Sequence, residues 1–271
     1  MGKEKLILEY KKLKSLFLFE FYENIRNRWL YLYFSTFFLI STLLIFSGGS
    51  ESERISASLL NEVLLIIPLF TLIFGSIRFM DSLPFMEVLL SRSENRFFLY
   101  FGKWLGMGLC LNLGFLLGSG VPLLFYMSLD NIFIPLQILM FGVVLNFVFL
   151  TLSFFLAIQF SLKEVSLAVS LLLWFYFYLF YDLVILALSV NLGDYPLEPV
   201  ILLLIVLNPI DLVRVLLLLQ MDIAALMGFT SAFFQKYMGN QYGIIFTIFL
   251  LILWILIPFY FGNKRFSKKD L

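Results

Sequence analysis

The side chains best suited to chemistry in this sequence are charged groups set among long apolar stretches. Asp182 lies inside one such stretch, where an ionisable side chain is costly and by default indicates a function. The alternative is a structural carboxylate that is hydrogen-bonded to a helix neighbour, such as Tyr181 or a serine. A second group is Asn208-Pro209-Ile210-Asp211-Leu212-Val213-Arg214, which has a capping Asn followed by Pro at the first helical position. Asp211 and Arg214 are three residues apart, so they can form an ion pair on one helix face.

The catalytic groups of the common enzyme classes are missing from the sequence. The 271 residues include no His and a single Cys, which excludes Ser–His pairs, H-E-x-x-H metal sites and an intrachain disulfide. No G-x-x-x-x-G-K-[ST] sequence occurs, so the chain alone does not hydrolyse ATP. The nine Met residues are scattered, which argues against a Cu(I) site. We therefore predict that this chain is not an enzyme and binds no metal or other cofactor itself.

The composition places these groups in a membrane protein. Hydrophobic residues make up 62% of the chain and charged residues 14%, whereas a soluble domain carries about 25% charged residues. Six stretches reach the roughly 20 apolar residues that a membrane-spanning helix needs, and none alternates as barrel strands do. We predict an all-α integral membrane protein, a single transmembrane domain over residues 1–271. Its predicted spans are residues 30–47, 59–80, 103–127, 133–161, 167–190 and 243–262.

The distribution of positive charge predicts the orientation. Sixteen of the 19 Lys and Arg residues fall in segments that alternate onto one side of the membrane, and three (Arg54, Arg214 and Lys236) fall on the other. Since cytoplasmic loops carry the excess of Lys and Arg, both termini are predicted to be cytoplasmic.

Two segments on the predicted cytoplasmic side have the sequence patterns of helices and not of flexible linkers. Residues 1–29 have helical apolar spacing with charged residues on the opposite face, which predicts an amphipathic interface helix. This helix is either a generic basic anchor or a surface that helps to receive a cytoplasmic partner. Residues 81–102 predict two short helices, one starting at Ser82 and Pro84 and the other at Ser93 and Glu94.

Small and amide side chains predict how the spans pack. The third span has small residues at every fourth position: Gly102, Gly106, Cys110, Gly114 and Gly118. Small residues at this spacing let helix backbones approach closely. We expect Asn112, Asn146 and Gln159 to form hydrogen bonds between helices.

The connection at residues 191–242 is too apolar for a simple loop, and a seventh span would reverse the C-terminus. We predict an extracytoplasmic or re-entrant helical cap, with helices near residues 209–220 and 223–237. The group at Asn208, Pro209, Asp211 and Arg214 is then either a local helix cap with an ion pair, or a gate at the outer end of a pathway or a docking point for an external partner.

These features together resemble the permease subunit of type-two ABC exporters. Members of that family have six spans, an N-terminal interface helix and a helical first cytoplasmic loop. The motif of that loop is matched here by Asp81, Phe85-Met86-Glu87-Val88-Leu89-Leu90-Ser91, Arg96 and Gly102-Lys103. The chain departs from the motif at Leu83-Pro84, where Gly is usual.

A narrower resemblance covers nearly the whole chain and is to the permeases of nitrous oxide reductase maturation. The residues that carry it are Arg26-Asn27-Arg28-Trp29, Trp174, Phe180-Tyr181-Asp182-Leu183, Leu207 to Arg214, Gly228-Phe229-Thr230, Trp254, Pro258 and Phe266. This resemblance implies a homodimer in the bacterial inner membrane with two copies of a separate ATPase, which would bind the ATP and Mg. It also implies an extracytoplasmic partner, a role in copper-site assembly and a sulfur species as cargo.

The resemblance also assigns the functional residues. Contact with the ATPase is expected at Asp81, Phe85, Glu87, Arg92, Arg96, Lys163 and Glu164. Three alternatives remain open: a type-two ABC exporter permease for a drug, peptide or lipid, an ion-coupled secondary transporter, and a membrane scaffold or sensor. The internal repeats and paired intramembrane charges of secondary transporters are not evident.

Overall fold

Helices account for every regular element in residues 2–48, 52–91, 95–126, 132–191, 198–221 and 241–268, which are the residues that the structure, a computed structural model, describes. In chain order they are α1 (Gly2–Ile25), α2 (Arg28–Gly48), α3 (Ser52–Ser91), α4 (Arg96–Tyr126), α5 (Phe133–Gln159), α6 (Lys163–Phe175), a π-helical turn (Tyr176–Phe180), α7 (Tyr181–Asn191), α8 (Glu198–Val206), α9 (Pro209–Gln220) and α10 (Gln241–Lys268).

Six of these helical segments are long and apolar enough to cross a membrane, which confirms the number of predicted spans. They are α2, α3, α4, α5, the continuous rod formed by α6, the π-helical turn and α7, and α10. The central helix is α5, which packs against α3, α4, α6, α9 and α10. By contrast, only about a tenth of the apolar windows of the α6–α7 rod and of α10 is buried within the chain.

The prediction of a new helix at Ser82 and Pro84 is wrong, because α3 continues through both residues to Ser91. The Ser82 hydroxyl donates to the Phe79 carbonyl oxygen at 2.7 Å instead of capping a helix start. Pro84 removes one backbone hydrogen bond, but Met86, buried beyond it, keeps this part of α3 packed on the core.

The helix that follows begins at Arg96. Asn95 caps it, since its side-chain oxygen accepts a hydrogen bond from the Phe97 N–H at 3.0 Å. The start that we predicted at Ser93 and Glu94 lies outside the described residues.

Polar side chains join the centre of the bundle. The side-chain oxygen of Asn146 on α5 accepts hydrogen bonds from the hydroxyls of Tyr33 on α2 and Thr71 on α3, both at 2.9 Å. Its amide nitrogen donates to the Asn112 side-chain oxygen on α4, also at 2.9 Å. One buried asparagine therefore links four helices, which fits the role expected for the amide side chains.

The small-residue stripe of α4 packs against two different helices. Cβ atoms built at Gly102 and Gly106 would face α1, and that at Gly106 would lie 2.9 Å from the Glu20 Cβ atom. Cβ atoms at Gly114 and Gly118 would face α2. The stripe therefore holds both the N-terminal helix and the first span against α4.

Helices α8 and α9 form a hairpin that bends by 118° between Val206 and Pro209, a geometry found in broken spans and re-entrant loops. Helix α9 starts at Pro209 and ends at Gln220, as predicted from the Asn208 cap. The further helix predicted near residues 223–237 lies outside the described residues.

Candidate functional site

Ion pairs and polar contacts gather at the end of the bundle where α3 and α10 end and where α4 and α6 begin, which we call the basic end. The Lys163 ammonium of α6 pairs with Asp81 of α3 at 2.5 Å. The Arg78 guanidinium of α3 pairs with Glu23 of α1 at 2.7 Å and also donates to Asn24. These contacts connect three helices that are separated in the sequence.

The end of α10 is hydrogen-bonded to the same region. The Arg96 guanidinium donates to the carbonyl oxygens of Phe266 and Ser267, both at 3.1 Å. The Phe266 ring is fully buried against Phe79 and Tyr100. Arg96 therefore joins the first turn of α4 to the last turns of α10.

The predicted ATPase-contacting residues differ in their surroundings. Phe85 is exposed and stacks on Phe19 of α1, with 5.2 Å between ring centroids. Glu87 and Glu164 are exposed on α3 and α6. Arg92 lies outside the described residues. Helices α3 and α6 thus bring five of the seven predicted residues to the basic end as exposed or ion-paired groups. Arg96 of α4 also lies there, in contact with the α10 backbone.

A buried ion pair at this end was missed in the sequence analysis. The Lys103 ammonium of α4 lies 2.7 Å from a Glu20 carboxylate oxygen of α1, and both side chains are almost fully buried. Gly102 and Gly106 allow this approach because α1 crosses α4 at these positions. The signal available in the sequence was a Lys directly after a glycine at the start of an apolar span.

A second polar cluster surrounds the bend of the hairpin, which contacts the middle of the α6–α7 rod at Phe177 and the middle of α10 at Trp254. The Asn208 side-chain oxygen accepts from the Ile210 N–H at 3.0 Å, as a helix-capping residue does. Its amide nitrogen donates to Asp211 at 2.7 Å and to the Phe177 carbonyl oxygen at 2.9 Å. Asn208 therefore fixes the start of α9 and ties the bend of the hairpin to the π-helical turn.

Arg214 lies between two carboxylates from different elements. Its guanidinium contacts Asp211 at 2.9 Å on the same helix and both carboxylate oxygens of Asp182 on α7, at 2.7 and 2.8 Å. The Asp211–Arg214 pair expected from the spacing is present. The partner of Asp182 is Arg214, 32 residues along the chain, and not Tyr181 or a serine as in the structural alternative.

The π-helical turn places aromatic and carbonyl groups around the bend of the hairpin. The Tyr181 hydroxyl donates to the Leu204 carbonyl oxygen of α8. The Trp254 indole of α10 donates to the Val206 carbonyl oxygen at 3.4 Å and packs edge-on against the Phe177 ring. A π-helical turn shifts the backbone register by one residue, and such turns are frequent at functional sites.

A second carboxylate within the spans was also missed. Glu62 of α3 is buried and accepts a hydrogen bond from the Ser41 hydroxyl at 3.2 Å, while its other oxygen has no hydrogen-bond partner among the described residues. The same part of the chain contains no group of three or more acidic, Cys or His side chains able to hold a metal ion. The polar sites are therefore suited to ion pairing and hydrogen bonding.

The α6–α7 rod connects the basic end with the polar cluster at the hairpin. Lys163, paired with Asp81, is the first residue of α6, and Asp182, paired with Arg214, lies in the first turn of α7. Asp182 follows Lys163 by 19 residues along the rod, which corresponds to about 28 Å of helix. The rod also packs against α3, where the Ser76 and Ser170 hydroxyls are hydrogen-bonded at 2.7 Å.

Comparisons with known proteins agree with this architecture. The family model described as ABC-2 family transporter protein matches residues 65–271. The chain is 31% identical over 227 residues to the "Probable ABC transporter permease protein NosY" of Pseudomonas aeruginosa, covering 77% of this chain and 82% of that protein. It is 28% identical over 215 residues to the protein of the same name from Stutzerimonas stutzeri, covering 73% and 78%.

Permeases of this family are multi-pass proteins of the inner membrane that dimerise and work with an ATPase partner. The six apolar helices described above fit that assignment. The chain therefore belongs to the ABC-2 transporter family, as a NosY-like permease.

Proposed function

We propose that this chain is the permease of an ABC transporter that serves copper-site maturation of nitrous oxide reductase, with a sulfur species as the exported cargo. The similarity to two NosY permeases over about three quarters of the chain supports the maturation role. In this proposal a homodimer of the chain carries two copies of an ATPase that binds ATP and Mg, and both termini are cytoplasmic. The basic end then faces the ATPase, and the hairpin faces the extracytoplasmic partner.

The observation that carries the proposed mechanism is a pair of ion pairs on the α6–α7 rod, one at the start of α6 and one in the first turn of α7. ATP-driven closure of the ATPase dimer would push on residues 81–96, with contacts from the N-terminal helix and Glu164. The Lys163–Asp81 pair transmits this displacement to α6, and the rod carries it to Asp182. Arg214 then moves with Asp182 or separates from it, so that the start of α9 at residues 208–214, and the hairpin with it, takes one of two arrangements.

A charge exchange at the basic end tests this transmission. Asp81→Lys and Lys163→Asp, each made alone, should place like charges together and abolish reductase maturation, although the complex still assembles. The double exchange restores the attraction, so it should restore maturation. Glu53→Lys is the matched control, because Glu53 is an exposed acid in the first turn of the same helix, at its other end.

The readouts are nucleotide hydrolysis by the purified complex and the accumulation of active nitrous oxide reductase in cells. If Asp81→Lys and Lys163→Asp each behave like Glu53→Lys in both readouts, then Asp81 and Lys163 do not couple the ATPase to the rod. Glu87→Lys tests the placement of the ATPase contact, and intact ATPase stimulation in that variant would show that the contact lies elsewhere.

Purification of the tagged chain from native membranes in mild detergent tests the partners. A stoichiometric soluble ATPase with a P-loop supports the transporter complex, and a co-purifying extracytoplasmic maturation protein supports the copper-site role over export of a drug, peptide or lipid. A monodisperse preparation that lacks any ATPase would contradict the proposal.

A further inference from the structure

A groove at the basic end has the composition of a phospholipid site. It has a volume of about 640 Å³ and lies between the ends of α5 and α10, within the usual size of small-molecule sites. Its lining residues are Phe155, Ile158, Gln159, Ser161, Phe261, Lys264, Arg265 and Lys268. Two smaller grooves, of about 230 and 250 Å³, have almost entirely apolar linings.

Within the described residues, no acidic side chain neutralises the charges in this groove. Lys264, Arg265 and Lys268 are exposed, and none of them forms an ion pair within the described residues. Lys264 lies 5.9 Å from the centre of the Tyr260 ring, and the other two cations are one and four residues further along α10. Three cations in one groove favour an anion that carries more than one oxygen acceptor.

The walls of the groove distinguish a lipid from a soluble anion. Phe155, Ile158 and Phe261 lie on the span side of the cations, where an acyl chain would follow a phosphate. Helix α10 is a candidate span with little of its apolar surface buried within the described residues, which leaves space for an acyl chain along it. Basic pockets between transmembrane helices are known to hold anionic headgroups.

We propose that this groove binds an anionic phospholipid, whose phosphate lies beside Lys264, Arg265 and Lys268 and whose acyl chains lie along the aromatic wall. The site adjoins the contact between Arg96 and the backbone of Phe266, so a bound lipid also holds the end of α10 in place. The proposal requires that the chain is a membrane permease, but it does not depend on the cargo or on reductase maturation.

Native mass spectrometry of the full-length chain in detergent tests this site, with cardiolipin, phosphatidylglycerol or phosphatidylcholine added. Wild type should retain cardiolipin and phosphatidylglycerol but not phosphatidylcholine. The triple variant K264Q/R265Q/K268Q should bind the anionic lipids about 100-fold more weakly, since each cation near a membrane surface contributes a factor of several. The control K14Q/R26Q/R28Q removes three exposed cations from α1, the turn that follows it and the start of α2, and should bind as wild type does.

A second variant leaves the charge unchanged. Ser161→Trp fills the groove and should also displace the anionic lipids from protein that remains monodisperse. The proposal is overturned if the triple variant and its control lose the same affinity, or if millimolar inorganic phosphate displaces the lipid from wild type. It is also overturned if the triple variant keeps its lipid but no longer co-purifies with the ATPase, because the groove would then be a protein-docking surface.

Discussion

Removing one partner of the buried ion pair between Glu20 and Lys103 is expected to release α1 from the bundle. The two charged atoms are 2.7 Å apart, and the side chains are 7% and 1% exposed. Glu20→Ala leaves the Lys103 ammonium buried without a counter-charge, which costs about 3–5 kcal/mol. Lys103→Ala leaves the Glu20 carboxylate buried without a counter-charge, and it should lower the free energy of unfolding by a similar amount.

The double variant E20M/K103M distinguishes the effect of a buried charge without a counter-charge from the effect of lost packing. Met has nearly the length of both original side chains, and it retains the Cβ atom that packs next to Gly106. Replacement of a buried ion pair by apolar groups of similar volume is often neutral or stabilising. We therefore expect the double variant to be within about 1 kcal/mol of wild type, far above either single variant in stability.

The neighbouring pair of Glu23 and Arg78 provides the control. Glu23 lies three residues further along α1 and is 41% exposed, so Glu23→Ala should cost about 1 kcal/mol or less. Thermal or denaturant unfolding of the purified chain in mild detergent measures the free energies, and limited proteolysis reports whether α1 is docked. If Glu20→Ala cost no more than Glu23→Ala, or if the double variant lost the sum of the single losses, the reasoning would be refuted.

Three further predictions concern the hairpin, the α4 stripe and the central network, and unfolding of purified variants measures each. Arg214→Gln should lower the free energy of unfolding by about 3 kcal/mol, because it leaves the buried Asp211 carboxylate without its counter-charge. Asp182→Asn should lower it by about 1 kcal/mol or less, because the Asp182 side chain is half exposed. Equal losses would contradict this difference. Gly118→Ala should cost about 1–3 kcal/mol, since the new Cβ meets the α2 backbone at 2.9 Å. Gly102→Ala should be neutral, because its nearest contact is 3.5 Å. Asn146→Leu should cost about 2 kcal/mol through three lost hydrogen bonds, and a loss under ~0.5 kcal/mol would show that water replaces them.

Features within short stretches of the sequence predicted the spans and the start of α9. Runs of apolar residues located the six spans, because hydrophobic length alone decides whether a helix can cross a membrane. The start of α9 was also predictable, since Asn208 and Pro209 act on the first turn that follows them.

Contacts between distant segments were not predictable in this way. Asp182 and Arg214 are 32 residues apart, and no spacing rule relates positions on different helices. Glu62 was overlooked because the apolar residues around it outweigh one carboxylate in the average over a span. The continuity of α3 through Pro84 also depends on packing beyond the proline, which a local stop signal does not include.

The difference in burial among the ion pairs indicates which parts of the bundle move. Glu20 and Lys103 are sealed from water, so separating them would require a large free energy, and α1 and α4 should move together. The two pairs on the α6–α7 rod each include a carboxylate, of Asp81 or Asp182, that is nearly half exposed. Water can replace such a partner at a cost of about 1 kcal/mol or less. Pairs that exchange so readily suit a device with two arrangements. Among the described ion pairs, the Glu23–Arg78 pair between α1 and α3 has a similarly exposed carboxylate, so such pairs join the rod and α3 to their neighbours. The rod is therefore expected to shift against a fixed α1–α4 unit during each cycle of the ATPase.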